Sequence, residues 1–148
     1  LFRSARTWAI PPLCRDRLTL GFMRFTFVLH GEATQLRQLR AALEAWVDLD
    51  GSELDDLVIV VNELAANAIN YGQAPQQVSV QRTRASIRIC VTQARLDSLP
   101  LPHIASENGS RGRGLVLVDA LSDDWGWWAS AKEVAVWAVL ALPGNLSQ

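Results

Sequence analysis

Apolar residues in this chain alternate along some stretches and recur at helical spacing along others. In RFTFVLHG, residues 24–31, Phe25, Phe27 and Leu29 fall on one side and Arg24, Thr26 and Val28 on the other. That period of two is the mark of a half-buried strand. From Glu32 to about Val47, Leu36, Leu39, Leu43, Trp46 and Val47 return every three or four residues, which predicts a helix. DLDGS, residues 48–52, stops it, and Ser52 with Asp55 three residues on has the form of a capping box for the next helix. That helix, about 53–70, sets Leu54, Leu57, Val58, Val61, Leu64, Ala65 and Ala68 on one wide apolar face, and Gly72 and Pro75 end it.

QVSVQR (77–82) and SIRICV (86–91) alternate again, with Val78, Val80, Ile87, Ile89 and Val91 inward and a short TRA turn between them. Periodicity then vanishes from Gln93 to Arg111, a length of loop that is usually functional or disordered. A short helix, Gly114 to Leu121, and two strands, DWGWWAS and EVAVWAVL, complete the order β-α-α-β-β-loop-α-β-β. No internal repeat is visible. The simplest packing is an α+β two-layer sandwich: a mixed, mostly antiparallel sheet with about three helices on its apolar side and the other side facing solvent.

At 148 residues, 49% hydrophobic and 20% charged, the chain has the composition of one globular domain. Residues 1–22 have neither the period of a helix or strand nor the pattern of a convincing signal peptide, since arginines interrupt their apolar stretch and Pro11 and Pro12 break it. They are read as an N-terminal extension or an upstream misreading, poorly ordered at least in part, ahead of a domain over 23–148. A net charge of −1 supplies no basic field for direct nucleic-acid binding, and no apolar run is long enough to span a membrane. Cys14 and Cys90 lie far apart without neighbouring ligand residues, which argues against zinc and against a disulfide framework and fits a reducing cytoplasm. His30 and His103 read as isolated loop histidines. Trp125 suits a core, whereas Trp127 and Trp128, adjacent in a strand, must face opposite ways.

One stretch departs from the apolar logic. VNELAANAINYG, residues 61–72, carries Asn62, Glu63, Asn67 and Asn70 on an otherwise buried-looking helix. Glu63 and Asn67, four apart, share one face, and Asp56 and Asn70 extend that stripe. Covered and unpaired, each amide would cost about 1–3 kcal/mol, so something polar has to meet them. On its own the stripe also reads as an ordinary solvent border. SRGRGLVLV adds a second feature: Gly112 and Gly114 open a helix after the long loop, where backbone N–H groups can turn toward an anion. There is neither a Walker A lysine nor a GxGxxG. A carboxylate to act as base, an amide oxygen for Mg²⁺ and a glycine-rich helix start for phosphates are the parts phosphoryl transfer requires.

With those two motifs in order, the chain resembles the histidine-kinase-like (Bergerat-fold, GHKL) ATPases, in the variant found in bacterial anti-sigma-factor serine kinases. NELAANAINYG is similar to their N-box, and GRGLVLVDALSDDWGWW with VAVWAVL to their glycine box and closing strands. The likeness runs from about Arg24 to Leu142. It implies Glu63 as the general base and Asn67 as a Mg²⁺ ligand, with Asn70 and Gln93 also in the nucleotide site. Gly112, Gly114 and Leu115 would lie against the phosphates of ATP, residues 95–111 would form a lid, and Arg111 or Arg113 would stand near the phosphate chain. It further implies a cytoplasmic regulator that binds a sigma factor and phosphorylates an antagonist protein, and it favours a homodimer.

The adenine side departs from that pattern. Gln93 stands where the family has an aspartate that accepts a hydrogen bond from the adenine amino group, and Ala135 stands where threonine is frequent. A neutral amide in place of a charged acceptor lowers affinity roughly tenfold. A non-catalytic partner-binding module of the same fold, with weak or lost nucleotide binding, is therefore the competing reading. The catalytic piece of a sensor histidine kinase fits less well, because neither histidine sits on a convincing helix.

Overall fold

The computed structural model describes residues 5–6, 23–95 and 113–142. In chain order the elements are β1 (Ala5–Arg6), β2 (Met23–Leu29), α1 (Gln35–Val47), α2 (Gly51–Tyr71), β3 (Gln76–Arg82), β4 (Ser86–Ala94), α3 (Arg113–Leu121), β5 (Asp124–Ala129) and β6 (Glu133–Ala141). The six strands form one sheet in the order β1-β5-β6-β4-β3-β2. Every pairing is antiparallel except that of β1 with β5, where Ala5 stands opposite Trp125 and Arg6 opposite Gly126. Apart from those two residues, the N-terminal extension expected over 1–22 lies outside the described residues.

Register fixes which side chains meet the helices. Val80, Ile89, Ala138 and Trp125 stand abreast on four neighbouring strands and are all buried. Leu39, Leu43 and Val47 of α1 and Leu57, Val60, Val61, Leu64 and Ala65 of α2 close over them as one core. The alternation and the helical spacing thus converge on a single apolar layer, as the period argument requires. In α2 the buried face includes Val60, and Val58 is only half-buried. Phe25 meets Trp46 with ring centroids 5.5 Å apart, which seats α1 on the edge strand β2.

Three expectations need correction. The capping box at Ser52 and Asp55 does not form: α2 already begins at Gly51, and its N-cap Asp50 makes no side-chain cap hydrogen bond. Asp48 and Gly51 take left-handed φ values of 52° and 57°, so the α1–α2 corner is made by backbone conformation. Arg82 then ties that corner to the sheet, donating from Nη1 to the carbonyls of Val47 and Asp48. The second correction concerns the face away from the helices, which is not a simple solvent face. Cys90, Ala135 and Trp137 are buried there, with Trp128 and Val139 packed against them. Cys90 is disulfide-bonded, against the expectation of two separate thiols.

Candidate functional site

The polar stripe lies on α2 as the spacing requires. Glu63 and Asn67 are half-buried, one turn apart on the same face, whereas Asn70 near the helix end is exposed. Asn67, Ala68, Tyr71 and Gly72 form one wall of a small hollow, and Val91 and Gln93 of β4 with Val134 and Val136 of β6 form the other. The hollow has apolar walls with polar groups at Asn67 and Gln93, the usual make-up of a small-molecule site. Its volume is about 20 Å³, which is room for a water and not for a nucleobase.

Gln93, on the wall of the hollow, is held against the end of α2. Its Oε1 accepts a hydrogen bond from the Gln73 N–H at 3.1 Å, and its side chain lies across Gly72. A Cβ at position 72 would stand 1.7 Å from Gln93 Oε1 and 2.6 Å from the Ala68 carbonyl oxygen. With φ of −113° this residue has no conformational need to be glycine; it is glycine because there is no room for more. A backbone N–H can only donate, so the amide oxygen of Gln93 must face it and the amide's two donors point the other way. Gln76, opposite Gln93 in the β3–β4 register, donates from Nε2 to the Ala68 carbonyl at 3.1 Å. Its Oε1 is buried without a hydrogen-bond partner. A larger open cleft of about 500 Å³ borders the same glutamines, with Thr92, Lys132 and Glu133 on its rim.

α3 supplies the other half of the expected site. It packs against α2 on the helix-bearing side of the sheet and starts at Arg113, so Gly114 is in its first turn. The side chain of Leu115 is buried in the core, which leaves only its backbone for a phosphate. Arg111, Gly112 and residues 96–111 of the expected lid lie outside the described residues. The lid's first residue, Arg95, is anchored: its N–H donates to the Lys132 carbonyl at 2.9 Å and its Nη1 to the Ser130 carbonyl at 3.0 Å.

Ala135 is placed otherwise than expected. It pairs with Thr92 and with Trp128, on the outer face of the sheet and in the cluster with Cys90 and Trp137. The β6 residues that reach the hollow are its neighbours Val134 and Val136. Alternation along a strand decides this, since adjacent residues cannot both face the helices. The sequence reading also passed over Tyr71, Gln73 and Gln76. Gln76 had a legible signal, being an amide on the face where Val78 and Val80 continue as core.

Among the described residues no three His, Cys, Asp or Glu side chains are grouped to hold a metal ion, and no helix is long and apolar enough to cross a membrane. A search of curated proteins finds no match. A family model described as the histidine kinase-like ATPase domain matches residues 29–140, which is 112 of the 148 residues. That span runs from the end of β2 through both motif-bearing helices to β6. The chain belongs to the histidine kinase-like ATPase domain family.

Proposed function

We propose that this domain binds a magnesium–nucleoside triphosphate, ATP by resemblance, and acts as a regulator of the anti-sigma-factor serine kinase kind. In that role it sequesters a sigma factor and transfers phosphate to a serine of a small antagonist protein. The observation that carries this reading is Asn67 on the wall of the hollow, with Glu63 one turn before it on the same helix face.

Asn67 would hold Mg²⁺ through its amide oxygen, and a Mg²⁺ ion that arrives on a triphosphate needs only one or two protein oxygens. Glu63 takes the proton of the incoming serine hydroxyl and aligns its oxygen. The N–H groups opening α3 face the phosphate charge. The bound triphosphate supplies the phosphoryl group, and the protein's part is positioning and charge neutralisation. Calorimetric titration with ATP, with and without Mg²⁺, tests the binding half on the wild type and Asn67→Ala. Phosphate transfer to candidate antagonist proteins tests the other half on the wild type and Glu63→Ala. Transfer that disappears in Glu63→Ala supports the kinase. No transfer by the wild type, with Glu63→Ala behaving identically, ends that half.

One observation favours the second reading, a partner-binding module with weak or lost nucleotide affinity. The hollow, at about 20 Å³, is too small for a nucleobase, and Gln93 on its wall has its oxygen engaged by the Gln73 N–H. Under that reading the same titration returns no heat at millimolar nucleotide. Micromolar binding that Asn67→Ala abolishes disposes of it.

A further inference from the structure

Trp127 carries a donor that the fold leaves unused. It stands two residues after the fully buried Trp125 and opposite Val136 of β6, so it lies on the helix side of the sheet. Val136 is on the wall of the hollow beside Asn67, and directly opposed strand residues keep their Cβ atoms within about 5.5 Å. The indole Nε1 of Trp127 is buried without a hydrogen-bond partner among the described residues. An indole nitrogen can only donate, and buried ones normally find an acceptor. Its neighbours on this face, Ala129, Val134 and Val136, have no side-chain acceptor to give it.

Trp125 meets the same need within the fold, since its Nε1 donates to Asp119 Oδ1 at 2.8 Å. That bond also fixes how α3 lies over β5. Only Ser122 and Asp123 join the two elements, and the Asp123 N–H is already bonded to the Val139 carbonyl at 2.9 Å, so the chain doubles back there. One turn toward the start of α3 leads from Asp119 to Leu115, about 6 Å away, and Leu115 is buried in the same core. Two residues along β5 lead from Trp125 to Trp127, about 6.6 Å in the same sense. Trp127 therefore lies beneath the first turn of α3, with Val136 and the hollow of Asn67 at its flank.

We propose that Trp127 is a binding residue of the nucleotide site, its Nε1–H donating to a phosphate oxygen of the bound nucleoside phosphate. This rests on the nucleotide reading above and adds a residue that joins its two halves. The indole is half-buried, and a turn about χ2, a broad torsion in tryptophan, presents the N–H to an arriving oxygen. A phosphate oxygen suits the position better than a base or ribose atom. The N–H groups opening α3 favour negative charge there, and a charged acceptor strengthens the indole bond about twofold over a neutral one.

The test is a proton–nitrogen NMR titration of the whole chain with Mg-ATP, AMP and adenosine, with calorimetry on the same samples. It follows the indole N–H signal of Trp127, assigned through its own backbone. That signal is expected to move downfield with Mg-ATP and AMP and to stay in place with adenosine. Trp127→Phe is expected to weaken Mg-ATP binding about ten- to a hundredfold and to leave adenosine unaffected. Trp128→Phe, on the opposite face, should change neither. Bound Mg-ATP with the Trp127 signal unmoved overturns the proposal and leaves the nucleotide reading standing. Equal weakening of adenosine and Mg-ATP by Trp127→Phe overturns it too, as the mark of lost packing alone. No heat from any of the three ligands removes the nucleotide reading and this proposal with it. The wild-type signal decides the matter even where Trp127→Phe does not fold.

Discussion

Gly72→Ala puts the packing at the end of the hollow to a quantitative test. The added Cβ meets two groups, the Gln93 side-chain amide (Oε1 at 1.7 Å and Cδ at 2.4 Å) and the Ala68 carbonyl oxygen at 2.6 Å. Gln93 can swing aside because the amide is the tip of a flexible side chain. Doing so gives up its bond from the Gln73 N–H, a loss of about 0.5–1.5 kcal/mol. The Ala68 oxygen is backbone and accepts the Gly72 N–H at 2.8 Å, so the last turn of α2 has to open. Overpacking of that kind costs about 1–3 kcal/mol. Together the substitution should destabilise by about 2–4 kcal/mol, a large share of the 5–15 kcal/mol typical of a whole domain.

Thermal and urea denaturation followed by circular dichroism would measure this on four proteins: wild type, Gly72→Ala, Gln93→Ala and the double variant. A fall in Tm of roughly 5–15 °C is expected for Gly72→Ala. In the Gln93→Ala background the same change should cost less by about 0.5–1.5 kcal/mol, since one of the two clashes is gone. A Gly72→Ala protein within about 0.5 kcal/mol of wild type refutes the reasoning. So does an equal cost in both backgrounds, which would mean that Gln93 does not rest on Gly72.

Trp125→Phe should destabilise by about 2–4 kcal/mol, because Trp125 is fully buried and its Nε1 donates to Asp119 Oδ1 at 2.8 Å; an unchanged urea midpoint would contradict it. Arg82→Ala removes the donor to the Val47 and Asp48 carbonyls and should cost about 1–2 kcal/mol, with faster amide exchange confined to the end of α1. Uniform exchange along α1 would show that the arginine does not hold that corner. Asn67→Ala should leave stability within about 0.5 kcal/mol while lowering Mg²⁺-dependent nucleotide affinity at least about tenfold; equal affinities with and without Mg²⁺ would remove the metal role from Asn67.

Where the chain alternates or repeats at helical spacing, its sequence was sufficient to give the element order. Val78, Val80, Ile87, Ile89 and Val91 could be assigned inward because a strand has only two faces and one was evidently apolar. β1 was not legible, since two residues carry no period and their partner at Trp125 is distant in sequence. The capping box misled because Ser and Asp three apart are common, and the left-handed turn at Asp48 and Gly51 had already fixed the start of α2.

For the site, i and i+4 spacing placed Glu63 and Asn67 on one face correctly, since that follows from helix geometry alone. The side-chain path of Gln93 over Gly72, on the wall of the hollow beside them, is something no periodicity encodes. Ala135 could have been placed from the alternation of β6, in which Val134 and Val136 face the hollow and Ala135 therefore cannot.

The pairing of β1 with β5 also has a temporal side. Ala5 and Trp125 are 120 positions apart, so on a ribosome the first strand emerges long before its neighbour exists. Closing so long a loop carries an entropic cost that only late contacts return. The remaining strands can assemble around β3 and β4 while that first segment waits outside, and its docking against β5 should be among the last events of biosynthesis.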